Sequence, residues 1–199
     1  ALRARIARAY GSGNASPHLA HIVSDAHAQR LSDLVSDALA KGAQPVLPPA
    51  PAGRAIGPTL LTAITPEMRL DQEEIFGPIL PILAFDDLTQ VIDRINARDK
   101  PLALYIFDRD QTRIDRIITQ TSSGGVGVNL TLVQFTHANL PFGGVNTSGI
   151  GAGHGLTGFR AFSHERAVLR NRFLLFPLIF PPYTDRKLRL IRLIKRVLG

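Results

Sequence analysis

Residues 72–85 read QEEIFGPILPILAF, an acidic pair and a turn that lead into an apolar run. Gly77 and Pro78 mark the turn, and the Ile- and Leu-rich residues after it predict a strand from Ile79 to Phe85. On both sides of it, strand-like segments at residues 59–64, 102–107 and 125–129 alternate with helix-like segments at residues 88–97 and 112–121. This alternation predicts an α/β fold with a largely parallel sheet.

The chain before this region predicts one amphipathic helix. Ser24 and Asp25 are suited to cap its start, and Gly42 is suited to end it. Its apolar residues fall on one face: Ala28, Leu31, Leu34, Val35, Ala38 and Leu39. The proline-rich residues 45–57 that follow predict irregular surface chain, and residues 162–170 predict one more strand.

The composition is that of an ordinary globular protein. The 199 residues are 45% hydrophobic and 20% charged, which is enough for one substantial core. There is no cysteine, so the chain has no disulfide, no thiolate metal site and no thiol nucleophile of its own. No apolar run is long enough for an export signal or a membrane span, which predicts a cytoplasmic protein.

The net charge of +7 comes from the two ends of the chain. Arg3, Arg5 and Arg8 lie in the first ten residues without an acid, and residues 184–199 hold six basic residues against Asp185. The rest of the chain therefore has a net charge of about −1. Because the body has no basic excess, we expect no nucleic-acid partner.

A second block of motifs begins about 66 residues after Glu74. Residues 140–145 read LPFGGV, and a glycine-rich stretch continues to the FSH triplet at residues 162–164. Together with QEEIFGP, this block resembles the aldehyde dehydrogenase superfamily. KPLALYIF at residues 100–107 and TSSGG at residues 121–125 make the sequence most similar to the class 3 branch, which includes fatty, aromatic and coniferyl aldehyde dehydrogenases.

The resemblance covers residues 17–170 and implies the C-terminal part of a longer enzyme. Residues 1–165 would belong to the aldehyde dehydrogenase catalytic domain, and the dinucleotide-binding domain would lie upstream of them. Residues 166–183 would supply a strand and a loop for subunit pairing in a homodimer, in which Ala167 to Arg170 cover an open strand edge. Residues 184–199 would form a basic amphipathic tail.

The resemblance also implies a reaction and its cofactor, NAD or NADP. In that family a cysteine attacks the aldehyde to form a thiohemiacetal, hydride passes to the nicotinamide, and water activated by a glutamate hydrolyses the resulting thioester to the carboxylic acid. The cysteine and that glutamate both lie upstream of the family segment that this chain resembles. No catalytic residue is therefore assigned here, and the chain is expected to supply contacts to cofactor and substrate only.

Four residues carry these contacts by resemblance. Glu74 would accept hydrogen bonds from the nicotinamide-ribose hydroxyls, because a carboxylate is an acceptor that can bind two hydroxyls. Phe76 would pack near the nicotinamide ring. Phe142 would line the aldehyde tunnel, and Phe135 is a second tunnel candidate, in a loop that matches the family less well. Without the surrounding motifs, Glu74 is typical of a solvated turn and Phe142 of a core residue.

Two tempting patterns are set aside. Residues 153–158 match G-x-G-x-x-G, yet no apolar strand leads into the first glycine and no βαβ unit follows, so we expect no pyrophosphate site there. His18, His21 and His27 have no acidic or cysteine partner at metal-binding spacing, so no metal site is predicted.

The sequence departs from the family at three positions. Asn146 and Leu130 stand where the family usually has glycine and aspartate, and Gly153 stands where class 3 has tyrosine. The last two changes remove side-chain anchors near the tunnel.

Two other interpretations stay open: a truncated, non-catalytic remnant or interaction module, and a peripheral membrane protein that acts through its tail. The apolar residues of the tail share one helical face: Leu190, Ile191, Ile194, Val197 and Leu198.

Overall fold

Helix α2 (Asp25–Ala40) is the centre of the first of two compact units, Ala1–Asp93 and Arg94–Gly199, in a computed structural model. The structure describes residues 1–11, 16–170, 172, 177 and 180–198. The other elements of the first unit are α1 (Leu2–Tyr10), β1 (Gln44–Leu47), β2 (Pro51–Ala52), β3 (Ala55–Ile56), β4 (Thr59–Thr62), α3 (Arg69–Gln72) and β5 (Ile79–Pro81).

Helix α2 follows the predicted pattern at both ends. The Ser24 hydroxyl accepts a hydrogen bond from the His27 N–H at 3.2 Å, which satisfies one of the free donors of the first turn. After the last turn, Gly42 takes a φ of 99°, a conformation that glycine adopts without strain. The predicted face is buried from Ala28 to Ala38, but Leu39 is 37% exposed and is not a core residue, because it lies at the edge of that face.

The core of this unit forms where α2 packs on the strands. Its fully buried side chains include Leu31 and Leu34 of the helix and Leu61 of β4. Burying each of them contributes about 1.5–3 kcal/mol relative to exposure. Met68, just before α3, and Ile79 of β5 are also buried in this cluster, so the chain on both sides of the Glu74 turn is anchored in the core.

The sheet of the first unit has the order β1-β4-β5. Strands β4 and β5 are parallel, with Thr59 opposite Ile79, whereas β1 runs antiparallel to β4. The expectation of irregular chain over residues 45–57 was wrong, because β1 forms there and β2 pairs with β3 in a hairpin. Strand β1 tolerates Pro45 since it lies at the sheet edge and its register shifts between Pro45 and Leu47.

The second unit is built on a parallel pair of strands, β6 (Ala103–Ile106) and β7 (Gly125–Val128), paired in register. Helix α4 (Leu88–Asn96) crosses the boundary of the two units, and α5 (Gln111–Gln120) connects β6 to β7. Ile106 and Ile114 are the large apolar side chains described as buried in this unit. The later elements are 3-10 turns at Val133–Thr136 and Asn146–Ser148, α6 (Gly155–Ala161) and α7 (Asp185–Leu198).

The α/β fold is therefore confirmed, with small sheets whose pairings in β4-β5 and β6-β7 are parallel. The predicted strand over residues 79–85 is shorter than expected and ends at Pro81.

The predicted strand over residues 162–170 was wrong for the single chain, because helix α6 ends at Ala161 and its last turn continues into Phe162 and Ser163. Residues 164–170 have no regular structure and are exposed. Pairing of that segment between subunits stays a prediction, and parts of residues 171–179 lie outside the described residues. No helix within the described ranges has the length and apolarity needed to cross a membrane.

Candidate functional site

One face of α2 holds the turn that contains Glu74 and Phe76. The His27 Nε2 donates a hydrogen bond to the Phe76 carbonyl at 3.0 Å. The Arg30 guanidinium donates to the Glu74 carbonyl at 3.2 Å and to the Ile75 carbonyl. Three successive carbonyls of the turn are thus bound by two side chains one helical turn apart, which fixes the backbone and directs the side chains of Glu74 and Phe76 outward.

The two neighbouring glutamates have different environments. The Glu73 carboxylate lies 2.7 Å from Arg69 Nε and 3.6 Å from Arg30, and the hydrogen bond from Arg69 lowers the pKa of Glu73 below its ordinary value. The exposed Glu74 carboxylate has no hydrogen bond or ion pair with any residue that the structure describes. Glu73 therefore stabilises the turn, whereas all acceptor positions of Glu74 are available to a ligand.

Phe76 lies at the tip of this turn in a strained conformation. Its φ is 49°, which is uncommon for a residue with a side chain, and its side chain is 77% exposed. The ring contacts His27 edge to face, with centroids 6.2 Å apart. The Phe76 ring is thus exposed on a fixed backbone, which makes it a candidate for contact with a ligand.

Gly77 allows this turn to approach the core. A Cβ atom at Gly77 would lie 2.6 Å from Cδ1 of Leu31, and Leu31 is 0% exposed and packed on all sides. With any other residue at position 77, the buried Leu31 side chain would have to move, which gives the IFGP motif a steric reason.

The second candidate group lies in the second unit. The rings of Phe135 and Phe142 are edge to face with centroids 5.7 Å apart, and the His154 ring stacks on Phe142 at 5.7 Å. Phe142 and Gly153 form an antiparallel bridge, with hydrogen bonds of 2.8 and 3.3 Å in the two directions. The structure thus brings Phe142 and Phe135 together with His154, which the sequence did not indicate.

The glycines of the PFGG block permit close contacts between backbones. A Cβ atom at Gly144 would lie 2.1 Å from the Ser148 carbonyl oxygen, and one at Gly143 would lie 2.1 Å from the Gly151 carbonyl oxygen. Asn146 between them has a φ of 55°, so it adopts the left-handed conformation that the family's glycine would supply. The loop that carries Phe142 is therefore tightly folded despite its lack of regular structure.

The other two departures from the family sequence are Leu130, which fills space beside β7, and Gly153, which leaves space beside Phe142. Leu130 packs against β7, where its Cδ1 atom would lie 3.0 Å from a Cβ atom placed on Gly127. Gly153 has a negative or extended φ, and a Cβ atom there would meet only the Phe142 carbonyl oxygen, at 3.9 Å. A side chain at residue 153 would fit, so the glycine leaves open space beside Phe142.

A cavity of about 250 Å³ lies beside Phe142 in the second unit. It is lined by Leu102, Ala103, Gly124, Gly125, Val126, Gln134, Leu140, Pro141 and Phe142. Two polar atoms of this region are buried without a hydrogen-bond partner in the described chain, Gln134 Oε1 and His154 Nδ1. Buried polar atoms are normally paired, so these two are exceptions among the residues that the structure describes.

The sequence did not reveal His27, Arg30, Gln134 or His154 as parts of these groups. For His27 and Arg30, the only local signal is their spacing of three residues on α2, beside the buried face. Among the residues that the structure describes, no three His, Asp or Glu side chains are grouped as a metal site. Residues 153–158 contain the start of α6, and within the part of the chain that the structure describes Gly153 pairs only with Phe142, in an isolated bridge.

Residues 5–168 match the aldehyde dehydrogenase family. Aldehyde dehydrogenase family 3 member B1 of Bos taurus is 42% identical over 196 residues, which cover 96% of this chain and 41% of the relative. A Caulobacter vibrioides protein named probable coniferyl aldehyde dehydrogenase is 41% identical, with 84% of this chain and 36% of the relative covered. The structure titled substrate-bound state of Staphylococcus aureus AldH superposes with a TM-score of 0.79 and 34% identity, covering 100% of this chain and 43% of that one.

The chain belongs to the aldehyde dehydrogenase family, and these relatives bear out its similarity to the class 3 and coniferyl aldehyde branch. A Mus musculus relative named dimeric NADP-preferring aldehyde dehydrogenase is 43% identical over 80% of this chain, and 35% of the relative is covered. A nicotinamide dinucleotide is thus the cofactor type found in the family. The chain spans about a third to two fifths of the length of the curated relatives it matches.

Proposed function

We propose that this chain is the C-terminal part of an NAD(P)-dependent enzyme that oxidises an aldehyde to a carboxylic acid, and that it supplies contacts to cofactor and substrate. The nucleophilic cysteine, the general base and the dinucleotide-binding domain come from chain that precedes it in the intact enzyme. A bound nicotinamide would supply the hydride acceptor for the oxidation of the aldehyde. The residues of this chain bind and orient the cofactor and the aldehyde, and they exclude water from them.

The free carboxylate of Glu74 carries the proposal. Its backbone is fixed by Arg30, its neighbour Glu73 is occupied by Arg69, and its own oxygens are exposed and unpaired within the described chain. An ionised carboxylate accepts hydrogen bonds only, so it suits two adjacent ribose hydroxyls and gives bonds stronger than those of a neutral acceptor. The exposed Phe76 ring, two residues on, offers an apolar surface to the nicotinamide.

The test compares Glu74→Gln with Glu73→Gln in the intact enzyme. Glu74→Gln keeps the shape but replaces charge-assisted hydrogen bonds by neutral ones, so we expect a loss of about 1–2 kcal/mol, roughly five- to thirty-fold in cofactor affinity or in the hydride-transfer rate. Glu73→Gln should lower stability slightly and leave cofactor affinity within about two-fold. Single-turnover kinetics and cofactor titration measure both. If Glu74→Gln has unchanged values, Glu74 is a turn residue only.

The substrate contacts are proposed for Phe142 and Phe135. Their edge-to-face packing offers an apolar wall, which excludes water from the reacting carbonyl and positions it by shape. Which aldehyde is used depends on side chains from both parts of the intact enzyme.

We further propose a homodimer, in which the exposed segment Ala167 to Arg170 pairs with the sheet edge of a partner subunit.

A second function is favoured by α7. Six basic residues lie in this helix, and its side chains from residue 192 to residue 197 are all exposed, including Leu193 at 58% and Val197 at 75%. An exposed apolar stripe beside arginines and lysines is typical of a helix that lies on an anionic membrane surface. We propose a cytoplasmic protein with this weak lipid contact. Equal binding to neutral and anionic vesicles, or no loss after deletion of residues 184–199, rules it out.

The alternative is a non-catalytic remnant that uses the same fold without chemistry. One observation separates it from the enzyme: the coding sequence upstream of Ala1. An enzyme continues in frame into a cysteine motif and a dinucleotide-binding domain, whereas a remnant has a stop codon or unrelated sequence there.

A further inference from the structure

The Asn129 side chain joins the carboxyl ends of β6 and β7. Asn129 directly follows β7, and Asp108 lies two residues after the end of β6. The Asn129 Nδ2 donates a hydrogen bond to the Asp108 carbonyl at 2.9 Å, and the Asp108 N–H donates to Asn129 Oδ1 at 3.2 Å. These two hydrogen bonds, which we call the Asn129 clip, extend the ladder beyond its last backbone bond, from the Asn129 N–H to the Ile106 carbonyl.

The backbone of Asn129 ends β7 at the same point. Its φ is 55°, a left-handed conformation that interrupts a strand and that asparagine adopts more readily than most other residues with a side chain. Asn129 is exposed, so it is not part of the core. Replacing this residue therefore removes the Asn129 clip without opening a cavity.

The Asn129 clip lies at the start of the loop that carries both proposed substrate contacts. The 3-10 turn Val133–Thr136 begins four residues after Asn129, contacts β7 and contains Phe135. Gln134 of this turn donates from Nε2 to the Tyr105 hydroxyl of β6 at 3.1 Å. The first part of the loop is therefore tied to the same two strands that the clip joins.

The other end of β7 holds the end of the same loop. A Cβ atom on Gly124, the residue before β7, would lie 2.3 Å from the Gly143 carbonyl oxygen, so the backbone that follows Phe142 lies directly against the start of the strand. The loop thus leaves β7 at one end and returns to it at the other. The positions of Phe135 and Phe142 between these two points depend on both.

We propose that Asn129 is a positioning residue for the aldehyde. The Asn129 clip fixes the end of β7 from which the loop departs, and it thereby fixes the rings of Phe135 and Phe142, whose centroids are 5.7 Å apart. The inference rests on the proposed function, in which these two rings form the substrate wall. Without the clip the wall becomes mobile and binding of the aldehyde weakens, whereas Glu74 belongs to the first unit and keeps its contact with the cofactor.

Asn129→Gly in the intact enzyme tests this role, because glycine keeps the positive φ and removes the amide. We expect the KM for benzaldehyde or hexanal to rise roughly three- to ten-fold, the range that the net loss of one hydrogen bond gives, and the affinity for NAD or NADP to stay within about two-fold. Asn96→Gly is the matched control and should leave both values unchanged. The exposed Asn96 amide, at the end of α4, also donates to a main-chain carbonyl, that of Gln120 at 2.7 Å.

Hydrogen exchange of the 199-residue chain tests the Asn129 clip itself. In the unaltered chain the Asp108 amide should be protected, because it donates to Asn129 Oδ1. In Asn129→Gly, exchange should be faster by roughly three-fold or more at Asp108 and over residues 130–136, and Asn96→Gly should not change it there. The measurement on the unaltered chain needs no variant, so a misfolded Asn129→Gly does not remove the test.

Several results overturn the assignment of Asn129. One is an unprotected Asp108 amide in the unaltered chain, and another is an aldehyde KM that Asn96→Gly raises as much as Asn129→Gly does. A lower midpoint of unfolding in Asn129→Gly with an unchanged aldehyde KM shows a residue that only stabilises the fold. An unaltered intact enzyme that oxidises no aldehyde refutes the proposed function and the assignment together, so the two failures are distinct.

Discussion

Arg30→Met should loosen the turn that presents Glu74 and Phe76. In the structure one guanidinium donates to the carbonyls of Glu74 and Ile75 and also faces Glu73 at 3.6 Å. Methionine retains most of the aliphatic stem but none of the donors, so both carbonyls lose their protein partner.

The size of the effect follows from the burial of the side chain. A hydrogen bond from a charged donor contributes about 1.5–3 kcal/mol when it is shielded from water. The Arg30 side chain is 30% exposed, and water can replace part of each bond, so we expect a total loss of about 1–3 kcal/mol in the free energy of unfolding.

Arg69→Met is the matched control. Arg69 forms a 2.7 Å ion pair with the same glutamate, four residues along the chain, but its side chain is 41% exposed and has no described hydrogen bond to a turn carbonyl. Exposed pairs of this spacing contribute about 0.3–0.5 kcal/mol. Arg30→Met should therefore destabilise the chain several times more than Arg69→Met.

Urea unfolding of the two variants and the unaltered chain, with m-values compared, measures the difference. Hydrogen exchange should show faster exchange confined to the amides around residues 74–77 in Arg30→Met. If Arg69→Met costs as much as Arg30→Met, or if exchange near the turn is unchanged, the carbonyl contacts of Arg30 do not hold the turn and the reasoning is refuted.

Three further predictions concern the rest of the chain. Gly144→Ala should lower the free energy of unfolding by about 1–3 kcal/mol, because its Cβ would lie 2.1 Å from the Ser148 carbonyl oxygen, whereas Gly125→Ala, where nothing lies within 4 Å, should change it by less than about 0.5 kcal/mol in urea titrations. The hydrogen bond from Arg113 lowers the pKa of Asp108 below its ordinary 3.8, so the stability from this carboxylate is present above pH 3.8 and is lost as the pH falls below it. Asp108→Asn should therefore lower the Tm at pH 7, by an amount that narrows below pH 3.8 in thermal scans, and a constant difference contradicts this. Sedimentation of the intact enzyme should show a dimer. A monomer at micromolar concentration would contradict the proposed pairing of Ala167 to Arg170 with a partner subunit.

Local chemistry made much of the fold predictable. Ser24 and Gly42 lie at the two ends of α2 in the chain itself, so the bounds of the helix follow from local sequence. The α/β alternation was likewise apparent, because each element needs only its own short pattern of apolar residues.

The errors came from residues whose role depends on distant partners. Strand β1 forms despite Pro45 because β4, fifteen or so residues on, supplies the pairing and β1 lies at the edge. Helix α6 contains Gly155 and Gly158, which favour turns, and yet it forms. Its length of seven residues is too short for a clear periodic pattern.

The candidate site was predictable only as motifs. The QEEIFGP motif indicated Glu74 and Phe76, but it did not indicate the side chains that hold their backbone. Arg30 lies 44 residues before Glu74, and His27 lies 49 residues before Phe76. No pattern within one helix indicates such partners. Sequence also could not show that Glu73 is paired while the Glu74 carboxylate is free, because the two neighbouring glutamates look alike in sequence.

The most direct measurement is aldehyde oxidation by the purified 199-residue chain with NAD or NADP and a panel of aromatic and aliphatic aldehydes, followed by absorbance of the reduced nicotinamide. The chain has no cysteine to form the thiohemiacetal, so the account predicts no aldehyde-dependent reduction above a boiled control. Addition of the upstream part of the enzyme, which would bring the nucleophile and the dinucleotide-binding domain, should restore it. Aldehyde-dependent reduction by the chain alone, after removal of any contaminating full-length enzyme, would contradict the claim that this chain supplies contacts and not the reacting group.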